Sequence, residues 1–255
     1  MRSKRYDKLA IKQTIQKHWM DRTLRLISAG LSPAEIRSDL DVYLATQKQS
    51  GGVGKRGEKT YKMAIGCLAS WFLPLKELTP FRDAALSLAR TLPEKLWLPL
   101  HWAVISAAFP FWFQVARQVG RLLNLQDQIT KAQVFNRLKE QYGDRETVDR
   151  NARYVLRSFV AWGILKDTNV KGCYEQGTRQ AITEKGLALL LLEATLHVTP
   201  EGKGTLLLLC NHPALFPFQL PLLTAEFIAQ HADRIEVFRQ GSEEDLLALK
   251  EQRLR

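Results

Sequence analysis

Residues Ile129 to Tyr174 read ITKAQVFNRLKEQYGDRETVDRNARYVLRSFVAWGILKDTNVKGCY, a pattern of two short amphipathic helices and a β-hairpin. The first helix is expected over Ile129 to Tyr142. Thr130 supplies an N-cap oxygen, Ala132, Val134, Phe135 and Leu138 recur with helical period, and Gly143 stops the run. A second helix is expected from near Asp144 to Trp162, with Val148, Ala152, Val155, Leu156 and Phe159 along one buried stripe. At about 100° per residue, Arg150, Arg153 and Arg157 fall on the opposite side, with Thr147, Asn151 and Tyr154 alongside. A guanidinium fork grips a phosphate or the O6/N7 edge of guanine at two points, and a carboxamide matches the N6/N7 edge of adenine. After Trp162-Gly163, the layout Ile164 to Lys166, a turn-rich Asp167 to Gly172, then Cys173 to Glu175 reads as strand, loop and returning strand, with Lys166 and Lys171 near the tip.

Helix, turn, arginine-bearing helix and basic hairpin in that order resemble the winged helix-turn-helix superfamily, from about Phe111 to Ile182. The resemblance implies double-stranded DNA as partner and the second helix as the one entering the major groove. Arg145, Arg150, Arg153, Tyr154 and Arg157 would then face that groove or its phosphates, with Lys166 and Lys171 near the adjacent backbone. Asp144, Glu146 and Asp149 depart from the pattern. They are expected either to favour the positive end of the helix dipole or to pair with the arginines on a solvated face. In its size and arrangement the chain also resembles small DNA-binding components encoded with prokaryotic anti-phage systems. The competing readings are a protein-interaction scaffold whose arginines solvate an exposed helix, and an RNA binder, although no RNP-like aromatic motif is present.

Charge supports a polyanion partner. The 255 residues are 45% hydrophobic and carry a formal net charge of +11, with a pI near 9.7. Residues 1–62 hold 14 Lys/Arg against 6 Asp/Glu and residues 117–185 hold 13 against 8, whereas residues 186–255 hold 6 against 9. The excess therefore sits at the N-terminus and in the arginine-bearing segment, and the acidic final third reads as protein-facing. Arg2, Lys4, Arg5, Lys8, Lys12 and Lys17 form a basic arm running into a helix from about Asp7 to Ser28, read either as a second DNA surface or as an ordinary helix with a frayed start.

The rest of the chain reads as mainly helical. Ser32-Pro33-Ala34-Glu35 has capping-box spacing, so a helix should run from Pro33 to about Gln47. The glycine-rich stretch Ser50 to Gly57 lacks the glycine and hydroxyl positions of a phosphate-binding loop, and Lys55 and Arg56 make it a basic loop instead. Helices follow over Glu58 to Phe72 and Pro80 to Leu92. Leu96 to Ala116 carries no formal charge and is long enough to cross a bilayer, but Pro99 and Pro110 cut it, and His101 and Gln114 are polar. Two buried helices, about 94–108 and 110–124, are the expected reading, with no membrane span. Farther on, Thr183 to Leu196 is helical, Thr205 to Cys210 is a buried strand or a helical turn, Leu222 to His231 is a helix, Ile235 to Arg239 a strand, and Ser242 to Gln252 a helix.

No secretory signal is legible, and three cysteines without paired spacing (Cys67, Cys173, Cys210) fit a cytoplasmic chain with neither metal site nor disulfide framework. The five histidines lack metal-ligand spacing, and no nucleophile turn or dinucleotide fingerprint occurs, so neither catalysis nor a cofactor is expected. The fold expected is mainly α: a basic helical domain over 1–93, a winged helix-turn-helix over 94–185 and an acidic α+β extension over 186–255.

Overall fold

Helices α5 (Trp97–Ala108) and α9 (Lys185–Val198) pack on each other at the centre of the molecule. Both are buried on almost every face, which explains two runs too apolar to show a helical stripe: Leu100 to Ala107 lies against α9, and Leu187 to Val198 lies against α5 and α4 (Thr79–Thr91). A computed structural model describes residues 6, 9–47, 57–199, 201–240 and 244–250.

On the N-terminal side α1 (Lys17–Ser28), α2 (Pro33–Ala45) and α3 (Glu58–Phe72) pack on one another, and α1 and α3 also meet α5. Ser32 and Glu35 form the reciprocal capping box at the start of α2. At Phe109 the chain leaves helical geometry, as a residue preceding proline is driven to do, and α6 (Pro110–Leu123) starts at an angle of 117° to the helix before it. No single described helix is long and apolar enough to cross a membrane, and the two halves of the uncharged stretch are instead folded back and buried.

From α6 the chain runs through β1 (Gln128–Thr130), α7 (Lys131–Tyr142), α8 (Glu146–Ala161), β2 (Leu165–Asp167) and β3 (Cys173–Gln176). The strands form an antiparallel sheet in the order β1-β3-β2, with Ile129 opposite Tyr174 and Lys166 opposite Glu175. Trp102, Trp112, Phe159 and Trp162 interlock edge to face or tilted, with centroids 4.9 to 6.5 Å apart, and so fasten α8 to α5 and α6. Beyond β4 (Gln180–Ala181) and α9 come β5 (Lys203–Thr205), α10 (Leu206–Cys210), β6 (Phe218–Gln219), α11 (Ala225–His231), β7 (Ile235–Gln240) and β8 (Glu244–Leu249). Strand β4 pairs in parallel with β6, while β5, β8 and β7 form a second antiparallel sheet with β8 in the middle. Nearly all of the buried apolar residues among those described make one connected cluster from Ile11 to Leu247.

The chain is thus mainly helical with small sheets, and several expected elements are corrected. The first helix begins at Lys17, not near Asp7; Ile11, Gln13, Thr14 and Ile15 precede it as buried, non-helical chain. The segment expected to be a helix from Ser242 is a strand where described, because Leu246 and Leu247 pair with Phe238 and Val237 on β7 while Lys203 to Thr205 pair on the other side. Ile129 belongs to a strand, and the first of the paired helices starts two residues later. The ambiguous Thr205 to Cys210 is both things in turn: Thr205 ends β5 and then caps α10.

Candidate nucleic-acid interface

Helix α8 has two distinct sides. Val148, Asn151, Ala152, Val155, Leu156, Ser158 and Phe159 are buried, while Thr147, Arg150, Arg153 and Arg157 are exposed and Tyr154 is half-buried. Helix α7 opens on the reciprocal capping box of Thr130 and Gln133, and the turn into α8 begins at Gly143, whose φ of 81° is a conformation glycine takes without strain. Arg145 is the N-cap residue of α8, exposed, with its guanidinium donating to the Tyr142 carbonyl at 2.7 Å.

Of the arginine trio, Arg150 and Arg153 have no acidic partner among the described residues, and Arg157 has one: its Nη1 lies 2.6 and 2.8 Å from the two carboxylate oxygens of Asp167. That bond is the main cause of an Arg157 pKa held above its ordinary value. The acids at the start of α8 do not engage the arginines. Asp144 and Asp149 instead pair with Lys139 of α7, at 2.9 and 3.3 Å, and Glu146 stands in the first turn where a negative charge suits the helix dipole.

Beside the arginines the hairpin closes a cleft of about 440 Å³, lined among others by Lys131, Arg153, Arg157, Asp167, Asn169, Lys171 and Tyr174. Lys171 is exposed in the turn, and Lys166 is exposed on β2 opposite Glu175. Lys131 was not among the expected contacts. As the first residue of α7 it donates its backbone amide to the Gly172 carbonyl at 2.8 Å, and its aliphatic stem covers Gly172, where a Cβ would sit 3.0 Å from Lys131 Cδ. That contact draws a fourth cation to the cleft.

Asn151 is a correction. Its side chain is buried on the core side, donating to the Thr147 carbonyl at 2.6 Å, so it is not available to a base edge. One helical step puts Asn151 beside Ala152 on the boundary of the apolar stripe, where a carbonyl of the preceding turn accepts from its Nδ2. Among the secondary basic residues, Lys12 is exposed, on the buried segment that precedes α1, and Lys17 is paired with Asp21 at 2.8 Å. Arg2, Lys4, Arg5, Lys8, Lys55 and Arg56 lie outside the described residues.

Comparison with protein-family models, with curated proteins and with solved structures found no match. The functional reading therefore rests on side-chain geometry.

Two other polar groupings are structural in character. Asp21 accepts from Lys17 and lies 3.0 Å from His101 Nε2, while His101 Nδ1 accepts from Trp71 Nε1 at 3.1 Å. A ring nitrogen that accepts carries no proton, so His101 is neutral and its Nε2–H points to the carboxylate. Burial pushes the His101 pKa down; burial pushes Asp21 up, but hydrogen bonds from His101 and Lys17 outweigh it and leave Asp21 below its usual range. Glu193, buried on α9, holds Arg234 through two bonds of 2.6 and 2.8 Å and ties the final sheet to the central helix. A larger cleft of about 770 Å³ is lined mainly by residues of the last third, Leu207, Phe216, Phe218 and Leu222 among them, together with Arg179. Among the described residues no three His, Cys, Asp or Glu side chains are grouped to hold a metal.

Proposed function

We propose that this chain is a non-catalytic double-stranded DNA-binding protein, a regulator or accessory subunit, in which α6 to β3 acts as a winged helix. The observation that carries the reading is the outward row Arg150, Arg153 and Arg157 on a helix whose other side is sealed by Val148, Ala152, Val155, Leu156 and Phe159. In this reading α8 lies in the major groove, with Arg150 and Arg153 free to reach base edges or phosphates, and the β2–β3 hairpin lies along the backbone with Lys166 and Lys171. Lys131 adds a contact from α7. Lys139 pairs with both Asp144 and Asp149, so these acids are held toward α7 and not toward the arginines.

Exposed Leu207, Leu208 and Leu222 favour a protein contact in the acidic last third, which fits an accessory subunit. An accessory role in a prokaryotic defence system is the biological setting that this combination suits.

Binding is tested by fluorescence anisotropy on duplex DNA, single-stranded DNA and RNA at two salt concentrations. The duplex is expected to bind best, with affinity falling as salt rises by about 0.9 in logarithmic slope for each phosphate engaged. Changing Arg150, Arg153 and Arg157 together to Ala is expected to weaken duplex binding and flatten that slope. Unaltered binding by the triple variant, or stronger binding to RNA than to duplex, overturns the reading.

A further inference from the structure

One acid stands among the cations of the cleft between α8 and the hairpin. Asp167 ends β2 and puts both carboxylate oxygens on a single nitrogen of Arg157, while Arg153, Lys131 and Lys171 around the same cleft have no acidic partner among the described residues. We propose that Asp167 is an internal competitor for a phosphate seat: it occupies Arg157 in the free protein and yields it when a phosphate of the nucleic-acid backbone enters among Lys131, Arg153 and Lys171.

The inference rests on the duplex-binding reading and deepens it. A carboxylate offers a guanidinium the same pair of oxygens that a phosphodiester offers, so the pair seen is the intramolecular version of the contact the cleft is built for. Asp167 and Arg157 are 49% and 44% exposed at their side chains, and an ion pair so well solvated is weak enough to exchange for another anion. The cleft does not collapse when it does. The hairpin turn is fastened independently, by the Lys131 amide on the Gly172 carbonyl and by the Cys173 amide on the Val170 carbonyl. Tyr174, buried on β3, lines the same cleft and forms part of its fixed wall.

The consequence is discrimination by a repulsive element. A lone anion has to displace a carboxylate already in place, whereas a duplex that also engages Arg150 and the hairpin recovers that cost through several contacts at once. Asp167 therefore lowers general affinity for polyanions and makes binding depend on the whole surface.

The test compares wild type, Asp167→Asn, Arg157→Ala and the double variant by anisotropy on a short duplex across salt, and by NMR of the Arg157 Nε–H during titration with inorganic phosphate. Asp167→Asn is expected to bind duplex about tenfold more tightly at low salt, with a logarithmic salt slope steeper by about one, and to lose this gain in the Arg157→Ala background. Phosphate is expected to shift the Arg157 resonance at lower concentration in Asp167→Asn than in wild type. Equal affinity and slope for wild type and Asp167→Asn overturn the competitor role, as does a gain that persists without Arg157. Duplex binding that remains sensitive to Arg150 and Arg153 in that case leaves the DNA reading standing. Conversely, absence of duplex binding in every form together with a phosphate response enhanced by Asp167→Asn removes the DNA reading and supports the seat.

Discussion

Ile15 donates its backbone amide to Ser158 Oγ at 2.8 Å, and its carbonyl accepts from Trp162 Nε1 at 2.9 Å. A single peptide residue 143 positions away in sequence is thus clasped by two side chains of the α8 region, from the side opposite the arginines. This pairing explains why the residues before Lys17 are not helical: Ile15 satisfies both of its backbone groups on side chains of the α8 region, and Ile11 and Ile15 fill the core beside it. Ser158→Ala leaves the buried Ile15 amide without an acceptor and is expected to cost about 1–3 kcal/mol in urea unfolding. Trp162→Phe removes the other bond, and because both act on one residue the double variant is expected to depart from additivity. A neutral Ser158→Ala would show that the segment is held by its isoleucines alone.

Gly120 and Gly66 make a matched pair of helical glycines with opposite outcomes. A Cβ on Gly120 would sit 1.9 Å from the Pro213 carbonyl oxygen, since α6 runs directly against the Pro213–Leu215 turn. Gly120→Ala therefore has to push two backbones apart and is expected to lose about 3 kcal/mol or more. At Gly66, exposed on α3, a Cβ meets nothing within 4 Å. Gly66→Ala is expected to gain about 0.5–1 kcal/mol through helix propensity. Thermal unfolding of both variants measures the contrast.

Acid is expected to weaken the fold in two stages. His212 stacks on Phe113 at 4.8 Å and accepts the Ala214 amide, and burial, with the charges of Arg117 and Arg121, pushes its pKa from 6.5 down to about 4. The folded chain keeps His212 neutral while the unfolded chain protonates it, so its contribution is whole above 6.5 and declines as the pH falls toward about 4. Glu193 comes next. Burial raises its pKa, but the neighbouring His197 ring, 3.7 Å away, and the two bonds from Arg234 outweigh this and hold it below 4.5, so its contribution is present above 4.5 and is lost as the pH falls through the lower, folded value. Chemical denaturation at a series of pH values checks the order: His212→Asn should flatten the first decline, and Glu193→Gln the second.

What was legible in the sequence was whatever local chemistry decides. The capping oxygens of Ser32 and Thr130, the stop at Gly143 and the apolar stripe of α8 all act within a turn or two of themselves, and each stands where its residues imply. The segments that misled are those whose conformation is settled by distant partners. Residues before Lys17 are non-helical because Ser158 and Trp162 take up the backbone of Ile15, and the Leu246 to Leu249 run is a strand because β5 and β7 flank it. The same division runs through the candidate site. Helical period correctly turned Arg150, Arg153 and Arg157 outward, but period alone has no resolution at the edge of a stripe, where Asn151 fell inside, and it carries no sign that Gly172 would fold back over Lys131.

Asn151 and Lys131 consequently make opposite predictions. Asn151 Nδ2 donates to Thr147 O, its Oδ1 is buried with no hydrogen-bond partner among the described residues, and alanine is the better helix former, so Asn151→Ala removes a buried, half-satisfied polar group along with one local bond. Its stability is expected to stay within about 1 kcal/mol of wild type, and its duplex affinity and sequence preference should not change. Lys131→Ala leaves the capping box of Thr130 and Gln133 and the backbone bond to Gly172 in place, so the fold should hold. It takes a cation from the cleft, however, and is expected to weaken duplex binding at all sequences alike and to reduce the logarithmic salt slope by about one. Urea unfolding and salt-dependent anisotropy on the same two proteins measure both halves. A loss of sequence preference in Asn151→Ala would mean that this side chain turns outward on DNA, and an unaltered slope in Lys131→Ala would remove α7 from the contact surface.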